Sequence, residues 1–218
     1  MTSTVVSMPS AEGGDRTYML PAKFAPPSIL GMFALAAATF IVSARMVHWF
    51  GNPHSAFILF PLVLIFGGLA QFYASTWAFQ ARDVVALAMH STWGSFWTAY
   101  GILELLYATG RVARPAGAFP ELGFWFIAMA AITWSVTIAA RERTGMMTVL
   151  ALLACGSTLE AIAELAGMDS VRILAGYFLF ASAVVAWYVA TVLMLGFEKI
   201  EKAHRAQPAP AGESARAA

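Results

Sequence analysis

The chain has 218 residues, of which 60% are hydrophobic and only 11% are charged. Soluble domains carry roughly 45 to 50% apolar and about 25% charged residues, so this chain has more apolar surface than a water-soluble fold could bury. Its formal charge of +1, with the basic residues scattered, excludes the positive surface that a nucleic-acid partner requires. We therefore expect an integral membrane protein in contact with the lipid bilayer.

The first 28 residues are rich in glycine, proline and small polar residues, and they lack the continuous apolar segment of a cleavable signal peptide. We predict that residues 1–28 form a disordered cytoplasmic tail. Residues 198–218 combine Lys and Glu with a final Pro- and Ala-rich stretch, a composition that buries too little surface to offset the entropy of ordering. We predict a second disordered cytoplasmic tail there.

Between the tails, residues 29–197 contain apolar segments of membrane-spanning length. A hydrocarbon core of about 30 Å needs roughly 20 apolar residues in a helix that rises about 1.5 Å per residue. The predicted fold class is an all-α integral membrane protein, a bundle of six transmembrane helices. In chain order, the predicted spans are residues 29–47, 56–79, 84–108, 122–140, 146–166 and 172–197.

The distribution of Lys and Arg predicts how these spans are oriented, because cytoplasmic loops are enriched in both residues. Six spans would leave nine of the 13 basic residues on the face that holds both tails. We therefore expect a multi-pass protein of the inner (plasma) membrane with both termini in the cytoplasm. The opposite face would carry only Arg45, Arg111, Arg114 and Arg172.

Ionisable side chains inside the spans are candidates for function, because a charge at membrane depth costs several kcal/mol unless it has a partner, a proton or water. Glu160 and Glu164 lie one helical turn apart and share a face of the fifth span. Together with His90 on the third span, they could serve a proton-linked step. Alternatively, the glutamates lie near the interface and pair with Arg172, and His90 bonds a neighbouring hydroxyl.

These same three residues do not have the spacing of a metal site. Two carboxylates one turn apart and a histidine from another helix are not accompanied by a His-x-x-His or Glu-x-x-His pattern. We expect no metal, no cofactor and no enzymatic activity.

Neutral hydrogen-bonding side chains on the second and third spans are candidates for the lining of a pore. Gln71, Ser91 and Ser95 lie among large aromatic residues, where they could pass a small polar solute without holding it tightly. Most serines inside membranes instead bond to their own helix backbone, so the residues alone leave both roles open.

The same two spans carry a family signature. The segment Gly67-Gly68-Leu69-Ala70-Gln71, followed after a short turn by Gly94-Ser95-Phe96-Trp97, resembles the GPR1/FUN34/YaaH family of acetate and succinate transporters. The resemblance covers roughly residues 23–198. It implies a homohexamer of six-helix protomers, each with its own pore, that transports small monocarboxylic acids together with protons.

The resemblance also implies a narrow hydrophobic constriction. By position, Met32 or Phe33 on the first span, Trp93 on the third and Leu153 on the fifth would form it. Trp93 stands where the family usually has a tyrosine, and the larger ring should tighten the gate. Of the family's entrance motif only an Ala-Pro pair remains, so the alternative is a non-transporting membrane sensor or assembly module that keeps the family fold.

Overall fold

The computed structural model describes residues 6–8, 16–18, 25–52 and 54–206. Long helices account for most of this part of the chain, and short turns connect them. The six long helices are Ser28–Met46 (α1), Ser55–Gln80 (α2), Val84–Ala108 (α3), Pro120–Ala139 (α4), Thr144–Ala166 (α5) and Asp169–Ala206 (α6).

Five of these helices, α1, α2, α4, α5 and α6, are long and apolar enough to cross a membrane. The helix α3 is not among them, although its 25 residues would reach across a bilayer. Its hydropathy is lowered by His90, Glu104 and several hydroxyl side chains. The all-helical membrane fold is therefore confirmed with five candidate spans, and the sixth span stays a prediction.

The helix boundaries agree with the prediction to within three residues, except at the end of α6. We expected α6 to end at residue 197, but it continues to Ala206. Glu198 and Lys202 lie one turn apart with 3.7 Å between carboxylate and ammonium, an arrangement that supports a helix at this position. The predicted C-terminal tail thus begins as helix, and the prediction for residues 207–218 lies outside the described residues.

The N-terminal segment contains a short β-ladder that we did not predict. Strand β1, Val6–Met8, pairs antiparallel with strand β2, Arg16–Tyr18, with Val6 opposite Tyr18. Valine, threonine and tyrosine favour strands, whereas our prediction of disorder weighed only the glycines, prolines and polar residues. The rest of the predicted tail up to residue 24 lies outside the described residues.

The middle of α2, Val63–Ala70, is π-helical. Pro61 lies just before it, and since a proline has no backbone N–H to donate, the regular helical ladder is interrupted there. Within the π-helical segment, a Cβ on Gly67 would lie 2.5 Å from Cγ of Trp97, and one on Gly68 would lie 2.5 Å from Oγ1 of Thr98. The two glycines therefore let α2 approach α3 closely.

Asp83 fixes the start of α3. Its side chain accepts a hydrogen bond from the backbone N–H of Ala86, the usual role of an aspartate N-cap. Both of its oxygens also accept from Nη1 of Arg143, at 2.9 and 2.8 Å, which links the α2–α3 turn to the residue before α5.

The helices pack in chain order around a closed ring. Each contacts the next, and α6 returns to pack against α1. The interior is apolar, with Met32, Leu35, Leu150 and Leu153 fully buried. Large apolar side chains such as Phe79 and Ile138 remain exposed on the outside, as expected of a surface that faces lipid.

Candidate functional site

A cavity of about 610 Å³ enters the bundle at the end where α1 and α3 finish and α6 begins. We call it the vestibule. Its floor is aromatic, formed by Trp93, Phe96 and Trp97 of α3, and its walls carry charged side chains from four different parts of the chain. The vestibule therefore joins a polar mouth to an apolar interior.

The floor is rigid because its rings pack on one another. Phe96 lies at the centre, with ring centroids 5.2 Å from Trp93, 5.0 Å from Trp97 and 5.3 Å from Phe126 of α4. The spacing of 93, 96 and 97 along α3 puts these side chains on one helical face. The indole N–H of Trp93 also donates to Oγ1 of Thr133 at 3.2 Å, which ties that ring to α4.

One wall of the vestibule is built around Glu104, which is fully buried. Its Oε1 accepts from Nη1 of Arg45 at 3.1 Å, and its Oε2 accepts from Nη2 of Arg114 at 2.5 Å. The Arg114 guanidinium also lies 4.2 Å from the ring centroid of Tyr107, a cation–π contact. We call Glu104, Arg45 and Arg114 the Glu104 cluster; it joins α1, α3 and the α3–α4 loop.

The opposite wall is built around Arg172. Gly167 ends α5 in the left-handed conformation, with a φ of 65°, so the chain turns at once into α6 and brings both helices together at the mouth. Arg172 lies 3.1 Å from an oxygen of Glu164, 3.4 Å from one of Asp169 and 3.8 Å from one of Glu160. We call these four residues the Arg172 cluster.

The Arg172 cluster bears on the two alternatives left open for the glutamates. Both Glu160 and Glu164 pair with Arg172 at the rim of the bundle, which is the interfacial arrangement that we considered. Oε2 of Glu160, however, is buried without a hydrogen-bond partner among the described residues and faces the same cavity. A proton-linked role for this pair stays a prediction.

Of the four predicted constriction residues, Trp93 alone lines the vestibule. Met32 and Leu153 are fully buried in the same apolar core as Trp93, and Phe33 packs against that core while partly exposed. All four residues thus belong to the apolar core of the bundle or pack against it, and the constriction that they would form stays a prediction.

His90 and Gln71 lie apart from the vestibule. Nδ1 of His90 lies 3.3 Å from Oε1 of Gln71, and both side chains are fully buried. We expected His90 to bond a hydroxyl; its partner is an amide, because the close approach of α2 and α3 places Gln71 opposite it. The imidazole packs so tightly on α1 that a Cβ on Gly31 would lie 2.3 Å from its Cε1 atom.

The two serines predicted to line a pore bond to their own helix instead. The hydroxyl of Ser91 donates to the carbonyl of Leu87 at 2.7 Å, and that of Ser95 donates to the carbonyl of Ser91 at 2.8 Å. Ser95 is exposed on the outside of the bundle, and neither serine lines the vestibule.

Sequence reasoning missed most of the polar vestibule. Arg45 and Arg114 entered the prediction only as charges on one face of the membrane, and no role was predicted for Glu104. The available signal was their shared position at one end of the predicted bundle, where a buried carboxylate needs a guanidinium. Thr39 and Tyr100, which also line the vestibule, gave no separate signal, and Trp97 entered only as the last residue of the family signature.

Comparison with known proteins identifies the family. Residues 14–201 match the model of the GPR1/FUN34/yaaH family. The chain is 26% identical over 177 residues to ammonia transport outward protein 2 of Saccharomyces cerevisiae, covering 77% of this chain and 61% of that protein. It is 25% identical over 105 residues to the succinate-acetate/proton symporter SatP of Escherichia coli, covering 47% of this chain and 54% of that protein. The chain thus spans less than two thirds of the length of these relatives.

The fold is also similar to a solved structure. The bacterial acetate channel SatP superposes with a TM-score of 0.73 at 21% identity, over 81% of this chain and 95% of that chain. The likeness in fold and the family match over nearly the whole helical bundle agree. The chain is a multi-pass membrane protein, and it belongs to the GPR1/FUN34/yaaH family.

Proposed function

We propose that this protein transports small carboxylic acids across the membrane, namely monocarboxylic acids of acetate-like size and also the dicarboxylic acid succinate. The solute enters the vestibule and passes the constriction formed by Met32, Phe33, Trp93 and Leu153. The observation that carries the proposal is the vestibule itself, a cavity that runs from an arginine-bearing mouth to an aromatic floor in a chain of this family.

The Glu104 cluster at the mouth is suited to attract an acid, whereas the Arg172 cluster carries three carboxylates. Arg45 and Arg114 share a single carboxylate, that of Glu104, and each guanidinium has five N–H donors. Donors that remain can bind the oxygens of an incoming carboxylate, for which guanidinium geometry is well matched. The Glu104 cluster thus holds an excess of positive charge at the entrance.

The floor is suited to a neutral species. A bare carboxylate loses its hydration among indole and phenyl rings at a cost of several kcal/mol, a cost that a protonated acid largely avoids. The acid therefore crosses either protonated or together with a proton. Glu160 and Glu164 line the vestibule and could exchange that proton, whereas His90, the third proton-linked candidate, lies deeper in the bundle and apart from the vestibule.

The assembly that we propose follows the family: a homohexamer with one pore in each protomer, six spans in each chain, and both termini in the cytoplasm of the inner membrane. The vestibule would then open away from the cytoplasm, because α1 and α3 end at its mouth. The exposed apolar outer surface provides area for contacts with lipid and with neighbouring protomers.

The test is uptake into proteoliposomes that contain the purified protein. Labelled acetate, propionate, lactate and succinate are supplied under an inward proton gradient, with protein-free liposomes as the control. We expect uptake of acetate above the control, and slower uptake when the gradient is collapsed. Ammonium belongs in the panel, because one relative is named for ammonia transport. Equal uptake of every solute with and without protein would overturn transport and favour the non-transporting module.

A further inference from the structure

Besides Oε2 of Glu160, two polar side-chain groups of the vestibule have no hydrogen-bond partner among the described residues. They are the hydroxyl of Thr39 on α1 and the indole N–H of Trp97 on α3. Thr39 is 1% exposed and Trp97 is 3% exposed, so bulk water does not readily satisfy either group. Leaving a buried donor without a partner is costly, which makes such a pair in one cavity uncommon unless something binds there.

Both groups border the same cavity, and the Trp97 ring lies against the stretch of α1 next to Thr39. A Cβ on Gly67 would lie 2.5 Å from Cγ of Trp97 and 2.9 Å from Cβ of Ala38, the residue that precedes Thr39. The Trp97 indole is therefore wedged between α2 and the part of α1 that carries Thr39. Its orientation is fixed by backbone packing, not by a hydrogen bond.

Neighbouring side chains of the same types are all satisfied locally. The indole N–H of Trp93 donates to Thr133, and the hydroxyls of Thr98 and Thr133 donate to carbonyls of their own helices. A threonine in a helix usually bonds in this way. The hydroxyl of Thr39, which borders the vestibule, makes no such bond to its own helix within the described residues.

The chemistry of the pair defines its ligand. An indole N–H is only a donor, and a threonine hydroxyl can donate while its oxygen remains available. Two donors at the edge of an aromatic floor suit a small group with two acceptor oxygens and an apolar remainder. A carboxyl group on a short alkyl chain meets that description, with its chain against the faces of Phe96 and Trp93.

We propose that Oγ1 of Thr39 and Nε1 of Trp97 form a binding subsite for the carboxyl oxygens of the transported acid, directly above the aromatic floor. This inference rests on the proposed function and specifies where the acid pauses before the constriction. Both residues are binding residues that contact the solute.

The test is the acetate concentration that gives half-maximal uptake into proteoliposomes, for Thr39→Val and Trp97→Phe. Each substitution nearly preserves shape and removes one donor. We expect each to raise that concentration by about tenfold, because a hydrogen bond to a charged group is commonly worth this factor or more. The maximal rate should change little, and Thr39→Ser, which keeps the hydroxyl, should behave as the wild type.

Matched controls remove the same groups outside the vestibule. Trp134→Phe deletes an indole N–H that donates to Thr158 on the exposed side of α4, and Thr148→Val deletes an exposed hydroxyl bonded within α5. Both should leave acetate uptake at the wild-type value. A wild-type half-maximal concentration, within twofold, for both Thr39→Val and Trp97→Phe would overturn the subsite while leaving the proposed function intact.

Two further results are also decisive. If Trp97→Phe does not fold, Thr39→Val decides alone; it removes an unpaired buried hydroxyl and should fold as well as the wild type. If the wild-type protein takes up no acid, the proposed function fails. The subsite is then tested separately, by saturation-transfer NMR of acetate binding to the detergent-solubilised protein. Weaker acetate signals for Thr39→Val than for wild type would keep the subsite, and equal or absent signals would remove it.

Discussion

Near its start, α3 holds a neutral polar pair in a closed interior, whereas near its end it holds a carboxylate beside an open cavity. His90 and Gln71 hydrogen-bond each other at 3.3 Å and are sealed against α1 at Gly31. Four turns later, Glu104 is just as deeply buried but bonds two arginines, and the vestibule reaches it.

The contrast between these two ends of α3 shows where the bundle can accommodate a buried charge. A buried carboxylate is tolerated only with counter-charges and additional hydrogen bonds, and the arginines that supply them reach the aqueous mouth of the vestibule. In the closed half, the polar pair is an amide and an imidazole that bond to each other. Along α3, an ionic cluster therefore occurs at the end that reaches the vestibule, and an amide–imidazole pair occurs in the closed interior.

Removing the counter-charges of Glu104 should give the largest loss of stability. In the double variant Arg45→Met with Arg114→Met, the carboxylate stays fully buried without its two counter-charges. We expect a loss of about 3–5 kcal/mol in the free energy of unfolding, the usual cost of breaking a buried pair. Thermal unfolding in detergent, followed by circular dichroism, measures it.

The matched control for this double variant removes the carboxylate as well. Adding Glu104→Met eliminates the uncompensated charge, so the triple variant should recover most of the lost stability. A double variant as stable as the wild type would show that Glu104 has another route to water or to a proton.

A clash in the closed half should have a smaller effect. The added methyl group of Gly31→Ala would lie 2.3 Å from the His90 ring, which is enclosed on all sides. Overpacking of this kind costs about 1–3 kcal/mol. Gly51→Ala is the control, because a Cβ there would meet nothing within 4 Å. Equal melting temperatures for the two variants would mean that the His90 ring can move aside.

An exposed pair at the mouth should matter least. Nε2 of His48 lies 3.2 Å from Oδ2 of Asp169, but the two side chains are 63% and 57% exposed. Solvent screens such pairs, so His48→Ala should change the free energy of unfolding by less than about 0.5 kcal/mol. A loss comparable to that of the arginine double variant, in the same melting experiment, would contradict the contrast between buried and exposed charge.

The helical bundle was largely predictable from the sequence because lipid imposes a simple rule. Apolar runs of the right length must be helices, and five of the six predicted runs satisfy that rule in the structure. The helix α3 is less apolar than the other five because it carries His90, Glu104 and several serine and threonine side chains, of which only Glu104 lines the vestibule. The end of α6 at Ala206 was missed because charged residues beyond the membrane can continue a helix.

The candidate site was predictable only in part. The pairing of Glu160 and Glu164 with Arg172 followed from their spacing along the chain, since all three lie within 13 residues. The bond between Arg45 and Glu104 joins residues 59 positions apart, and only the packing of α1 against α3 brings them together. The prediction that Ser91 and Ser95 line a pore was misleading, because a serine hydroxyl on a helix usually donates to a backbone carbonyl of the same helix.

The central claim is that small acids cross this bundle by passing Trp93, and the most direct test is the selectivity of Trp93→Ala in proteoliposomes. Uptake of acetate, propionate and butyrate is compared with the wild type after both proteins are shown to be folded. Because the substitution removes the ring that closes the vestibule floor, we predict that the uptake of butyrate relative to acetate rises at least several-fold. An unchanged ratio in a folded Trp93→Ala protein would contradict the claim and place the gate elsewhere.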